Sequence, residues 1–237
     1  MKLFSQLQED YQKLYRQGLI DESLSIAWQA FRAAKREFGP THPNILEVLN
    51  HLIHVYRIKK RPALMTCLLM RVLTIEEKIY GPKHSAVAIT LNNIARMLNL
   101  QKRHEEAKPF FQRAIEIFEQ YQDLEGRSAL AQTLVELADL ERIRQRWTEA
   151  AVFYEWSLQI FQQVPTAKSR YLMGILGNLS SVYCALERYP DAQRCLQSAL
   201  AIAEQSLGVE HPETVRIWRN LGLLAVSGIR LPAHFFA

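Results

Sequence analysis

The side chains best equipped for chemistry here are histidines, cysteines and adjacent carboxylates. His51 and His54 lie three residues apart, and Glu47 precedes His51 by four. On a helix that spacing puts all three on one face. A metal ion would need further converging ligands and groups behind them to hold them, and none stands at a recognisable spacing. His42, His84 and His211 share another setting, a Gly-x-x-His turn that returns periodically, so they are expected to shape turns rather than to ligate or catalyse. Cys67, Cys184 and Cys195 are odd in number and form no Cys-x-x-Cys pair, which suits free, buried thiols in a reducing compartment. Glu76-Glu77 and Glu105-Glu106 read as helix-surface charges. The chain carries no HExxH, P-loop, GxGxxG or GxSxG signature. The expectation is a protein that is not an enzyme and uses no cofactor and no metal.

The elements that carry these side chains must be helices. With only 9 glycines and 9 prolines in 237 residues, the chain is poor in the turn-formers that sandwiches and nucleotide-binding folds require. Its formal charge is +5, with the basic residues spread along the chain. A nucleic-acid binder concentrates such charge on one face, so no nucleic-acid partner is expected. No segment is apolar for long enough to span a bilayer. The start of the chain turns polar too early for a signal peptide. A cytoplasmic location is expected.

Position along the chain is governed by a repeat. Phe38-Gly39-Pro40-Thr41-His42-Pro43 returns as Tyr80-Gly81-Pro82-Lys83-His84-Ser85 and as Leu207-Gly208-Val209-Glu210-His211-Pro212. Three columns of mostly small residues follow the same period: Ser23, Met65, Ala107, Ala150, Ala192; Ala30, Val72, Ala114, Ser157, Ala199; and Ile53, Ala95, Ala138, Ser180, Gly222. Every step is 42 residues except one of 43, shared by all three columns. Within a period, Val87, Leu91, Ile94, Ala95 and Leu98 make one helical stripe. After a break at Gln101-Lys102-Arg103, Ala107, Phe111, Ala114, Ile115 and Phe118 make a second. Each unit is therefore a helical hairpin whose stripe is covered only by stacking on its neighbours. In the turns, glycine is expected to end the preceding helix in a left-handed cap, and proline to open the next.

Gly81 to Ala95, Ala192 to Gly222 and, in part, Ala107 to Leu124 resemble tetratricopeptide repeats. More narrowly, they resemble the 42-residue variety of kinesin light chains and many bacterial repeat proteins. The resemblance implies an all-α, right-handed α-solenoid of stacked helical hairpins, here one domain over residues 1–237. The expected hairpins span 3–39, 43–81, 84–122, 126–164 and 168–208, followed by a capping helix at 212–227. The apolar tail 228–237 would cap that helix or make a dimer contact, leaving a monomer or a dimer.

The resemblance also implies that the first helix of each hairpin lines a concave groove. Its most telling column, the second Asn of Leu-Asn-Asn-Leu-Ala, reads Glu9, His51, Asn93, Glu136, Asn178 and Asn220. Asparagine amides offer donors and an acceptor, and can hold a ligand's backbone without dictating its side chains. The preceding column contributes Asn50, Asn92 and Arg219. Helical geometry adds His54, Arg57, Arg96, Asn99, Asp139, Arg142, Ser181 and Arg216 to this face. The expected role is a scaffold or adaptor binding a protein or peptide, with an acidic segment near Arg216 and Arg219. The alternatives are a regulatory subunit that wraps one enzyme through a convex face near Trp156 and, third, an RNA-binding repeat, against which Glu9, Glu136 and Asp139 argue.

Overall fold

The structure is a computed structural model that describes residues 2–163 and 169–227. Among the described residues the chain forms eleven helices and no strands: α1 (Lys2–Arg16), α2 (Ile20–Phe38), α3 (Pro43–Ile58), α4 (Pro62–Tyr80), α5 (Ser85–Leu100), α6 (His104–Phe118), α7 (Leu124–Ile143), α8 (Trp147–Gln162), α9 (Ser169–Ala185), α10 (Tyr189–Leu207) and α11 (Pro212–Ser227). They fall into two compact units, residues 1–117 and 118–237. In the first unit each of α1 to α4 packs on the helix that follows it; in the second, each of α7 to α10 does. The expected end of the fourth hairpin and start of the fifth, at 164–168, and the expected C-terminal cap at 228–237, lie outside the described residues.

The small columns lie where helices approach most closely. Ala30, Ala114 and Ser157 are fully buried, and so are Ala107, Ala150 and Ala192. Large residues fill the space around them, led in the first unit by Phe31, Leu49, Leu52 and Ile75. The hydroxyl of Ser157 donates to the carbonyl of Ala131 at 2.8 Å. A polar atom is thus tolerated in the column because it is satisfied.

Two kinds of turn alternate. Between hairpins, Gly39, Gly81 and Gly208 have φ of 88°, 89° and 91°, with ψ of 170°, 160° and 163°. This corrects the expected left-handed cap, because the combination lies in an extended region open essentially to glycine alone. Left-handed residues occur instead inside the hairpins, at Gly18, Lys60, Lys102, Gln145 and Glu187. There the backbone closes the helix end: the Arg61, Arg103 and Arg188 amides donate to the carbonyls of Tyr56, Leu98 and Tyr183, the bond that defines a Schellman motif.

The periodic histidines cap helices. Nδ1 of His42, His84 and His211 accepts the backbone N–H of Asn44, Ala86 and Glu213, each at 3.2 Å. Phe38 and Tyr80 stack on the imidazoles of His42 and His84. Where the Gly-x-x-His turn is absent, before α7, Asp123 takes its place and accepts from Gly126 N–H at 2.9 Å. A Cβ on Gly126 would come within 2.3 Å of Tyr121 Cβ, so this turn needs glycine for close approach.

Glu141 is completely buried at the end of α7. Arg144 reaches both of its carboxylate oxygens, at 3.5 and 3.4 Å, and Arg146 lies 3.8 Å away. The Arg146 amide also closes this turn onto the Glu141 carbonyl. The Glu141→Gln variant, which leaves Arg144 buried without its counter-charge, should lose about 3 kcal/mol or more in urea unfolding. The His84→Ala variant should lose about 1 kcal/mol, and His84→Asn should restore most of it, since Asn also caps.

Candidate protein-binding face

The face built by the first helices departs from the apolar rule of the interior, and several of its polar groups are held by neighbours. In the first unit, the His51 ring stacks on Tyr11 with centroids 4.1 Å apart, and Tyr11 Oη donates to the His51 carbonyl at 3.4 Å. Nδ1 of His51 has no partner. His54 is held on both ring nitrogens, by Tyr15 Oη at Nε2 and by Arg57 Nη2 at Nδ1, the latter at 2.9 Å. A guanidinium can only donate, so the His54 proton sits on Nε2. Asn50 is exposed and Asn93 half-buried. Asn92 is half-buried as well, and its Oδ1 lacks a partner. Oδ1 of Asn99 is bound to His104 Nδ1 at 2.6 Å, tying Asn99 to the α5–α6 turn. Arg96 is exposed and also interacts within the fold.

The second unit gathers three of the expected residues into one network. Asp139 accepts from Asn178 Nδ2 at 3.2 Å, from Arg142 Nη2 at 3.4 Å and from the hydroxyl of Tyr154. Tyr154 is buried, and burial, then the neighbouring Asp139, pushes its hydroxyl well above the usual range. Asn178 therefore has a defined orientation: its amino group turns toward Asp139, leaving Oδ1 as an acceptor. Glu136 and Ser181 are half-buried and engaged within the fold. On α11, Asn220 is half-buried and Arg219 exposed, while Arg216 pairs with Glu213 at 2.7 Å.

Sequence reasoning missed Tyr11, Tyr15 and Tyr154. The first two could have been found, because they stand four apart on α1, one period before Ile53 and Arg57. Tyr154 lies on a second helix and carries no such signal. Gln8, in the first-Asn column, was passed over too; it is 8% exposed and both of its amide atoms lack partners.

Other chemical groups are placed away from reactivity. Cys184 and Cys195 are buried, and burial pushes each thiol up to about 11. Cys67 is exposed, which corrects the expectation that all three are buried: its position on α4 falls outside the buried stripe of Met65, Leu68, Leu69 and Val72. Trp156 is half-buried, whereas Trp218 is the exposed tryptophan, at 55%, donating to Glu204 at 3.2 Å. Among the described residues no group of acidic, histidine or cysteine side chains is placed to hold a metal ion, and no helix is long and apolar enough to cross a membrane.

Stacked helical hairpins with a polar first-helix face define a helical-repeat protein. A family model for the tetratricopeptide repeat matches residues 45–120 and 171–227, more than half of the chain, and a second model of the same description matches residues 14–44. The chain belongs to the tetratricopeptide repeat family. Among solved structures it is similar to BtubC (BKLC) from P. vanneervenii, at 22% identity and a TM-score of 0.71, covering 89% of this chain and 83% of that one. It is also similar to an array of nearly identical TPR-like repeats assigned to the kinesin light chains of Podosopora anserina, at 18% identity and a TM-score of 0.67, covering 85% of this chain and 95% of that one. The apo form of RapI is similar at 17% identity and a TM-score of 0.66, covering 94% and 83%. At these identities the likeness is one of fold. A search of the curated proteins found no match.

Burial lowers the His51 imidazole from its usual 6.5, against an opposing effect of Glu47, and burial with Arg57 lowers that of His54. The fold therefore favours neutral rings. Their stabilisation is complete above pH 6.5 and is lost as the pH falls below 6.5 toward the lowered values. Urea midpoints on either side of pH 6.5 should show a drop on the acid side that shrinks in a His51→Asn/His54→Asn variant. An equal drop in both proteins would exclude these rings as its source.

Proposed function

We propose that the first-helix face of this repeat scaffold binds a segment of a protein partner, making the chain an adaptor rather than a catalyst. The observation that carries this reading is the return of a half-buried carboxamide at one register, at Asn93, Asn178 and Asn220. Asparagine is a mediocre helix former, so its recurrence on a helix face is best accounted for by use. In the second unit Asp139, itself bound by Tyr154, accepts from the Asn178 amino group, which leaves the Asn178 oxygen to accept an N–H from a peptide backbone. Asp139 itself already accepts from three donors and acts as a positioning residue. Arg219 makes no ion pair among the described residues and, with Arg216, favours an acidic portion of the ligand near α11. Asn50, His51, Asn92 and Arg96 would serve the equivalent face of the first unit. Free thiols and the absence of a membrane-crossing helix among the described residues accord with a cytoplasmic setting.

The test is affinity capture from native extract with wild-type protein beside an Asn93→Ala/Asn178→Ala/Asn220→Ala variant. A partner held by wild type and lost by the variant is the expected result. Retention by both would move binding off this face and favour a regulatory subunit that engages a folded enzyme elsewhere. For a partner so captured, an Arg216→Glu/Arg219→Glu variant should bind about tenfold more weakly, and unchanged affinity would remove α11 from the site.

A further inference from the structure

A repeat carries its own internal control, because a groove in one unit can be compared with the same registers in the other. In the second unit a groove of about 380 Å³ runs between α8 and α10. Leu172, Leu176, Leu179 and Tyr183 of α9 form its floor, with Ile202 of α10 beside them. Three periods earlier the same registers hold Ile45, Leu49, Leu52, Tyr56 and Ile75. The two floors are built alike, but they differ in cover. Ile45 and Ile75 are buried, whereas Leu172 and Ile202 are only half-buried.

Three side chains of the walls make the difference. In the first unit Phe31 of α2 belongs to the same buried cluster as the floor, and Trp28 packs against that cluster. The Trp28 N–H donates to the Tyr56 hydroxyl at 3.2 Å. From the other wall, the guanidinium of Arg71 on α4 lies 4.7 Å from the centroid of the Phe31 ring. An indole, a phenyl ring and a guanidinium thus close the space between the two second helices. At those registers the second unit has Glu155, Leu158 and Ser198, all of which line the groove. The column of Ser198 reads Gln29, Arg71, Arg113, Trp156 and Ser198. Arg113 also reaches back across its groove, to Glu77 of α4, and the serine is too short to do so.

Charge selects the occupant. The charged side chains lining the groove are Glu155, Asp191 and Arg194. Asp191 is bound by both Arg194 and Arg188, and Arg188 also lies over the Tyr183 ring at 4.5 Å. These three are committed to one another. Glu155 accepts from the Tyr183 hydroxyl and makes no ion pair among the described residues, although Arg188 is near enough to feel its charge. A carboxylate without a bonded counter-charge therefore stands beside an apolar floor, where the first unit places an indole. We propose that the α8–α10 groove docks a helix of a partner protein that inserts an aromatic side chain beside an arginine, supplying from outside the groups that close the same groove in the first unit, with the arginine meeting Glu155. None of the residues of the first-helix face lines this groove, and the proposal does not depend on that face binding anything.

The probe is a fluorescein-labelled helical peptide of about 18 residues, long enough to hold a helix, with tryptophan and arginine four residues apart on one face. One twin has alanine for the tryptophan and another has glutamate for the arginine. By fluorescence anisotropy, the full chain should bind the first peptide saturably, the alanine twin about tenfold more weakly and the glutamate twin about fivefold more weakly. A Glu155→Trp/Leu158→Phe/Ser198→Arg variant carries the side chains of the first unit and fills the groove. It should bind the first peptide at least about tenfold more weakly, with unchanged circular dichroism. Ser198→Arg alone, at an exposed position, repeats the test should the triple variant lose helicity. Glu155→Gln should abolish the preference for arginine over glutamate. Equal binding of the first peptide by wild type and the filled variants would overturn the proposal, as would equal binding of all three peptides by wild type. Loss of binding only in the Asn93→Ala/Asn178→Ala/Asn220→Ala variant would place the peptide on the first-helix face instead. Self-association of wild type in sedimentation equilibrium, abolished by filling the groove, would overturn the proposal in favour of a second copy.

Discussion

Two helices of a hairpin carry more apolar surface than they can hide from water between themselves. The surplus is buried only when the next hairpin lies against it, and in this chain everything else answers to that requirement. Close approach demands small side chains where helices meet, and Ala30, Ala107, Ala114, Ala150 and Ala192 supply them, all fully buried. The turns then have to return the chain, and the Gly-x-x-His turn recurs with the core before α3, α5 and α11, Asp123 taking its place before α7. Histidine caps, glycines in an extended conformation and left-handed residues inside the hairpins are all means of reversing direction in three or four residues without leaving helix ends unsatisfied.

Some polar groups in the stack are satisfied, although the buried Ser180 hydroxyl and Gln8 amide are not. Glu141 is admitted to a fully buried position only with two arginines beside it, and Ser157 only with a carbonyl to bond. On the first-helix face the constraint relaxes and polar side chains accumulate. Even there they are arranged: Asp139 gathers Arg142, Tyr154 and Asn178 from three helices, and His54 is fixed between Tyr15 and Arg57. Pre-set side chains of this sort lower the ordering entropy that binding must overcome.

By itself the sequence determined the period, the hairpins, the small-residue columns and the register of the asparagines, because each depends on spacing along one helix or on a repeat of 42 residues. The turn histidines were legible for the same reason, although the glycine conformation beside them was not, since a φ near 90° is compatible with more than one ψ. What the polar groups do was decided by the tertiary structure. Asn178 reads as a free amide until Asp139, 39 residues earlier, takes its amino group, and Asp139 reads as a ligand contact until Tyr154 is seen beneath it. Cys67, expected to be buried, is exposed. Those outcomes depend on side chains from different helices meeting in space, and a pattern read along one chain holds the spacing of such groups but not their partners.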